Sequence, residues 1–315
     1  MRFNFLLFLA SFLPWAAAQT GIATPTLGYA YDPGSRAIRP VLGIPGAAML
    51  GAPLRTRFQP ASAAVSPSQD YAFALSPGAG VRLVRWNAGR SSVIPVEDAI
   101  ASPDRIAFSP SGAAAILYDS ATGRMQALTG LPDSPALQEI QPAGSPAAGA
   151  FAIADNATIV LATSSGVLVI GPGSSSSPLP LPGSVAVIAF LRGSLDLLAV
   201  THSGDLYVAK NINGNLDIHQ IYTGDEQTAS PVAVQFSPDG ATAFAANTAG
   251  ILSTIDLNTG SIAAVSCQCA PTGLEPFGRA GLFRITEISA RPLLLFDGAG
   301  NRLWFVPAET QRSAQ

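Results

Sequence analysis

The chain repeats itself at a spacing that few folds accept. One kind of signature recurs at Val65-Ser-Pro-Ser, Phe108-Ser-Pro-Ser-Gly, Phe151-Ala-Ile-Ala-Asp, Phe190-Leu-Arg-Gly, Phe236-Ser-Pro-Asp-Gly and Phe283-Arg-Ile-Thr. Successive starts lie 43, 43, 39, 46 and 47 residues apart. A unit of 40 to 45 residues that cannot bury its own apolar faces needs neighbours on both sides.

The stretch from Phe236 to Val265 shows what one unit contains. Apolar and polar residues alternate with period two over four short runs, separated by turn signals at Asp239-Gly240, Asn247 to Gly250 and Asp256 to Gly260. Alternation of that period means strands, and Asp-Gly or Asn-x-x-Gly between them means tight hairpins. The second run of each repeat is almost wholly apolar: Tyr71-Ala-Phe-Ala-Leu, Ala114-Ala-Ile-Leu-Tyr, Thr158-Ile-Val-Leu-Ala, Leu195-Asp-Leu-Leu-Ala-Val, Ala241-Thr-Ala-Phe-Ala and Pro292-Leu-Leu-Leu-Phe. Such strands are covered on both faces. Four strands per unit at this period predict an all-β fold, a β-propeller.

The two ends set the blade count. Leu27 to Asp32, the turn Pro33-Gly34-Ser35 and Ala37 to Leu42 read as a hairpin with no inner strands before it. The Phe283 repeat has inner strands and no clear fourth one. Pairing the two would close the ring in one shared blade and remove two open edges. Six blades is therefore the favoured count, with residues 37–42 as the outer strand of the Phe283 blade. Seven is the alternative, because residues 44–60 have room for part of another blade. Residues 19–315 are expected to form this one domain.

Residues 1–18 stand apart. Arg2 gives a positive start, Phe3 to Leu13 an apolar core broken only by Asn4 and Ser11, and Ala16-Ala17-Ala18 a small-residue cleavage site before Gln19. This is the layout of a signal peptide, too short for a membrane span, and it predicts secretion or a periplasmic location with no span left after cleavage. An oxidising compartment makes a disulfide between Cys267 and Cys269 feasible, against two free or intermolecular thiols. The charge balance, 17 Lys and Arg against 20 Asp and Glu, offers no basic face for a nucleic acid.

Phe236-Ser-Pro-Asp-Gly, followed by Ile255-Asp-Leu-Asn-Thr-Gly-Ser-Ile262, resembles the bacterial YVTN/WD40-like propeller repeat. Tyr118-Asp-Ser-Ala-Thr-Gly-Arg and Tyr31-Asp-Pro-Gly-Ser-Arg carry the same turn. The resemblance spans residues 27–307, without the Gly-His and Trp-Asp marks of the eukaryotic scaffolds. It implies a propeller fold and leaves function open, since such proteins range from lactone hydrolases to pure binding modules.

Chemistry-bearing residues are few. His202 sits in a turn and His219 in an outer strand, and neither has a nucleophile-elbow context. Asn211-Ile-Asn213-Gly-Asn215-Leu-Asp217 has alternating oxygens but lacks a closing glutamate, so it reads as a hairpin rather than a calcium loop. Trp86 and Trp304 lack the docking repeats of quinone-dependent propellers. Glu275, Asp225, Asn247 and Asp297 would make a lactonase-like metal cluster only if several loops met. No catalytic residue, metal site or cofactor is therefore assigned.

The channel-binding candidates are Asp104 and Arg105 before Ile106, and Arg284 and Glu287 around Ile285, because charges on inner strands face the axis or pair with each other. The acidic connections Glu97-Asp98 and Asp225-Glu226 are rim candidates or plain solvated loops. These readings point to a non-catalytic binding module for a protein or glycan partner. A metal-dependent lactonase-like hydrolase is the alternative.

Overall fold

The computed structural model describes residues 24–87, 90–141, 149–173, 175–182 and 184–308. The signal-like segment, residues 1–18, and the Pro142 to Pro146 loop lie outside them. The described residues form strands and turns, with no helix. No helix among them is long and apolar enough to cross a membrane.

The strands assemble into seven antiparallel sheets, six of four strands and one of three. In chain order these are blade 1 (26–50), blade 2 (62–95), blade 3 (105–140), blade 4 (151–179), blade 5 (185–222), blade 6 (231–266) and blade 7 (275–306). The blade count is seven, not the favoured six.

Two sequence expectations fail together here. Residues 37–44 pair with Thr26–Asp32 and Ala47–Leu50 inside blade 1, so they are not the outer strand of the Phe283 blade. Blade 7 needs no such loan. Its first strand is Glu275–Pro276, and Phe283 belongs to the second strand, Leu282–Arg284. Two residues are too short for any alternation to show, so the reading of this blade slipped by one strand.

Period-two alternation explains the packing. On the second strand of blade 2, Tyr71 and Phe73 face blade 3, while Ala72 and Ala74 face blade 1. On that of blade 3, Ala115 and Leu117 face blade 2, while Ile116 and Tyr118 face blade 4. Repeated around the ring, this yields seven apolar clusters, each between two successive blades. The seventh closes the circle: Leu27, Ala30 and Val41 of blade 1 pack on Phe277, Leu282, Leu293 and Leu295 of blade 7. Each fully buried large side chain stabilises by about 1.5–3 kcal/mol, so an open arc would forfeit a whole cluster.

A polar latch crosses the same seam. Gln69 sits in the first turn of blade 2 at a φ of 62°, where the matching repeats have Gly112 and Gly240. Its Oε1 accepts from the Tyr29 amide at 2.6 Å and its Nε2 donates to the Pro276 carbonyl at 3.0 Å. One side chain thus ties blades 1, 2 and 7. Within blade 1, Arg39 and Asp32 form a buried ion pair at 3.2 Å, and Arg39 Nε donates to the Gly51 carbonyl.

Candidate functional site

The first strands of blades 3 to 7 line one cavity of about 340 Å³, which places them at the axis. Blade 2 contributes Pro67. The walls are mostly small or aliphatic: Ile106 and Ala107, Ala152 and Ile153, Val187 and Ile188, Ala233 and Val234. Two wall residues, Ala186 and Val232, are the unpaired residues of β-bulges in blades 5 and 6. A bulge re-aims a side chain that regular pairing would have placed elsewhere.

Two ionisable side chains line this lumen, Arg105 on blade 3 and Glu275 on blade 7. In a ring of seven, those blades stand as far apart as the circle allows. The Arg105 guanidinium lies over the Phe151 ring at 4.3 Å and near Tyr118 at 5.7 Å. A cation on an aromatic face gains electrostatically while keeping its donor edge directed elsewhere. Burial pulls the pKa of this arginine down, opposed by Tyr118 and Asp104.

Glu275 is open to the lumen while the channel walls surround it. That enclosure pushes its carboxyl up from the ordinary value of 4.5, with Arg284 opposing and Glu287 adding to the rise. Exposure to lumen water limits the size of the effect. Two further polar residues, Gln235 and Thr272, also line the lumen.

Of the four residues expected in the channel, Arg105 lines the lumen. Asp104 does not: its carboxylate accepts from the Ser120 amide at 3.0 Å and from the Ser120 hydroxyl. Those bonds, the hydroxyl first, hold its pKa down. Arg284 and Glu287 pair with each other at 2.7 Å, and neither lines the cavity. The cause is the one-strand slip in blade 7, which puts Arg284 on the second strand instead of the first.

The would-be metal cluster also disperses. Asn247 donates to the carbonyls of Glu226 and Gln227, Asp225 takes the Tyr222 hydroxyl, and Asp297 pairs with Arg279. Only Glu275 of that set reaches the lumen. Among the described residues no group of three or more His, Cys, Asp or Glu is placed to hold a metal.

His202 lines a separate groove with Ser203, Asp205 and Tyr207, and His219 lies 2.7 Å from Asp217 on an outer strand. The Asp98 carbonyl accepts from Gln126 Nε2 of blade 3, the Asp225 carboxylate accepts from the Gln227 amide in a local turn, and none of the four acidic rim candidates lines the lumen. Cys267 and Cys269 are joined in a disulfide that packs beside Phe244 and Leu252.

Glu275 enters the sequence reading only as a metal-cluster candidate, because residues 267–281 carry no alternation that would mark a strand. No spacing in the sequence points to it, because the interval from the last strand of one blade to the first of the next runs from 6 residues (179 to 185) to 12 (50 to 62).

The architecture and the lumen together define a seven-bladed β-propeller. No protein-family model matches the chain, and no curated protein does. Solved structures do match. A functionally unknown protein from Desulfotomaculum acetoxidans DSM 771 is 12% identical with a TM-score of 0.59, over 90% of this chain and 100% of that one. Apo AztD from Citrobacter koseri is 12% identical with a TM-score of 0.58, over 91% of this chain and 94% of its own. At that identity the likeness is one of fold.

Proposed function

We propose that this chain is an exported, non-catalytic β-propeller that works as a binding module through its central lumen. The observation that carries the reading is the lumen itself: a cavity of about 340 Å³ lined mostly by small and aliphatic residues, with polar surface exposed among them and an arginine and a glutamate set on separate blades. Concave, mainly apolar sites with a few placed polar groups are the usual form of a ligand or partner site. Neither histidine lines it. The partner class is a protein segment or glycan that presents a small group to the lumen. The signal-like residues 1–18 support export, and the YVTN-like turns support descent from propeller repeats.

The test is a thermal-shift screen of the full chain against oligosaccharides, peptides and small molecules. Ala186→Trp, which fills the lumen, serves as the control. Hits that raise Tm in the parent and not in the variant support lumen binding. Hits that survive the substitution, or turnover of a lactone on adding calcium, overturn it. Expression with the signal intact is expected to yield an exported chain beginning at Gln19 by mass spectrometry.

A further inference from the structure

One carboxylate in the lumen, open to lumen water, receives no hydrogen bond from the fold. Among the described residues no hydrogen-bond donor or ion-pair partner reaches the Glu275 side chain. The cation that acts on it electrostatically, Arg284, has its Nη1 committed to Glu287 Oε1 at 2.7 Å and to the Thr286 carbonyl at 3.0 Å. An ionised carboxylate offers about four lone-pair sites, and an enclosed one gains more from a charge-assisted donor than an exposed one does.

We propose that the lumen takes a primary amine with an apolar body, its ammonium seated on Glu275. This rests on the lumen being the binding site, and it names the ligand class.

Three features select that class. The carboxylate feels Arg284 only at a distance and receives no hydrogen bond from it, so a cation that donates hydrogen bonds is favoured over a quaternary ammonium, which donates none. Ile106, Val187, Ile188 and Val232 line the walls beyond the carboxylate, partly buried between the blades, and their remaining aliphatic surface can meet an alkyl chain. The volume, about 340 Å³, has room for roughly ten water volumes, which suits a small molecule or one side chain presented by a larger partner. Arg105 sets the polarity. It repels a second cation on blade 3, so the ammonium end goes to blade 7.

Calorimetry on the full chain with hexylamine, hexyltrimethylammonium and hexanoate tests the proposal. Hexylamine is expected to bind one-to-one, about tenfold or more tighter than its trimethyl analogue, with no heat from hexanoate. Glu275→Gln is expected to cost hexylamine about tenfold or more. Affinity for the amine should fall as pH drops through the titration of Glu275, because a neutral carboxyl carries no charge to pair. Absence of hexylamine binding, equal affinity for the two cations, or undiminished binding to Glu275→Gln overturns the proposal. The ranking of the three probes on the parent protein needs no variant, so a misfolded Glu275→Gln does not shield it. Hexanoate bound in a manner that Ala186→Trp abolishes would sink the amine and leave lumen binding standing.

Discussion

Blades 6 and 1 pack on their neighbours by the same rule and differ in how they are completed. Blade 6 runs through four strands paired in chain order, from Pro231–Phe236 to Ile262–Ser266, with a single bulge at Val232. Blade 1 has three strands. Beyond Thr26–Asp32, the Gln69 side chain accepts the Tyr29 amide proton that a further strand would have taken. Blade 6 is stabilised locally, by pairing between sequence neighbours. The seam between blades 7 and 1 is held by contacts between residues more than 200 apart in sequence, as in the Gln69–Pro276 bond. Side-chain packing joins the blades at this seam as at the other six junctions, but here no short chain connection backs it up, so the seam should be the place where the ring opens.

The sharpest way to break that contrast is at Gly278. It has a φ of 69°, and a Cβ there would stand 1.7 Å from the Leu27 carbonyl oxygen of blade 1. Gly123 has nearly the same φ, 70°, with nothing within 4 Å. Gly278→Ala should lower stability by about 4 kcal/mol or more, because blade 1 must move away from blade 7. Gly123→Ala should cost only about 1 kcal/mol, the backbone term alone. Denaturant midpoints measure both, and equal losses would show that the seam carries no special burden.

Next in size is the buried Arg39–Asp32 pair. Burial alone would raise the Asp32 pKa, but hydrogen bonds from Ser35, Arg39 and the Gly34 amide outweigh it and hold the carboxyl below its ordinary 3.8. A depressed folded value means the stabilisation is present above 3.8 and is lost as pH falls through the folded value. Asp32→Asn should cost about 2–3 kcal/mol at neutral pH and flatten the acid limb of the stability curve. The exposed Arg85–Asp133 pair, 2.6 Å long, is the comparison. Asp133→Asn should cost less than about 0.5 kcal/mol.

Gln69 gives a smaller and more discriminating test. Gln69→Ala removes two bonds across the seam and should cost about 1–2 kcal/mol. Gln69→Gly removes the same bonds but relaxes the φ of 62°, so it should be less harmful than alanine by about 0.5–1 kcal/mol. If the two variants match, the backbone there is not strained.

The smallest effect has the opposite sign. Glu275 has a raised folded pKa, so the folded state gives up stability as pH rises from 4.5 through that value. Glu275→Gln should raise Tm slightly at neutral pH and leave it unchanged in acid. A loss of Tm at neutral pH would mean that the carboxylate is held by a donor after all.

Much of this protein could be read without coordinates, for a local reason. Alternation with period two and turn residues such as Asp239-Gly240 act within a few residues of one another, and they define strands, their two faces and hence blades that must stack. The second strands, from Tyr71–Ser76 to Thr242–Asn247, were legible because both of their faces are buried and both are apolar. The sequence determined a ring of β-sheets packed face to face. What only the tertiary structure decided is the number of blades and which charges see the axis. Glu275–Pro276 is a strand because blade 7 is there to pair with it, and nothing in two residues announces that. Ala186 and Val232 face the lumen through bulges whose register depends on the strand opposite. Asp104 and Arg105 are adjacent, yet one turns to Ser120 and the other to the lumen, because successive side chains of an extended chain point to opposite sides and only the neighbouring blades say which side is the channel.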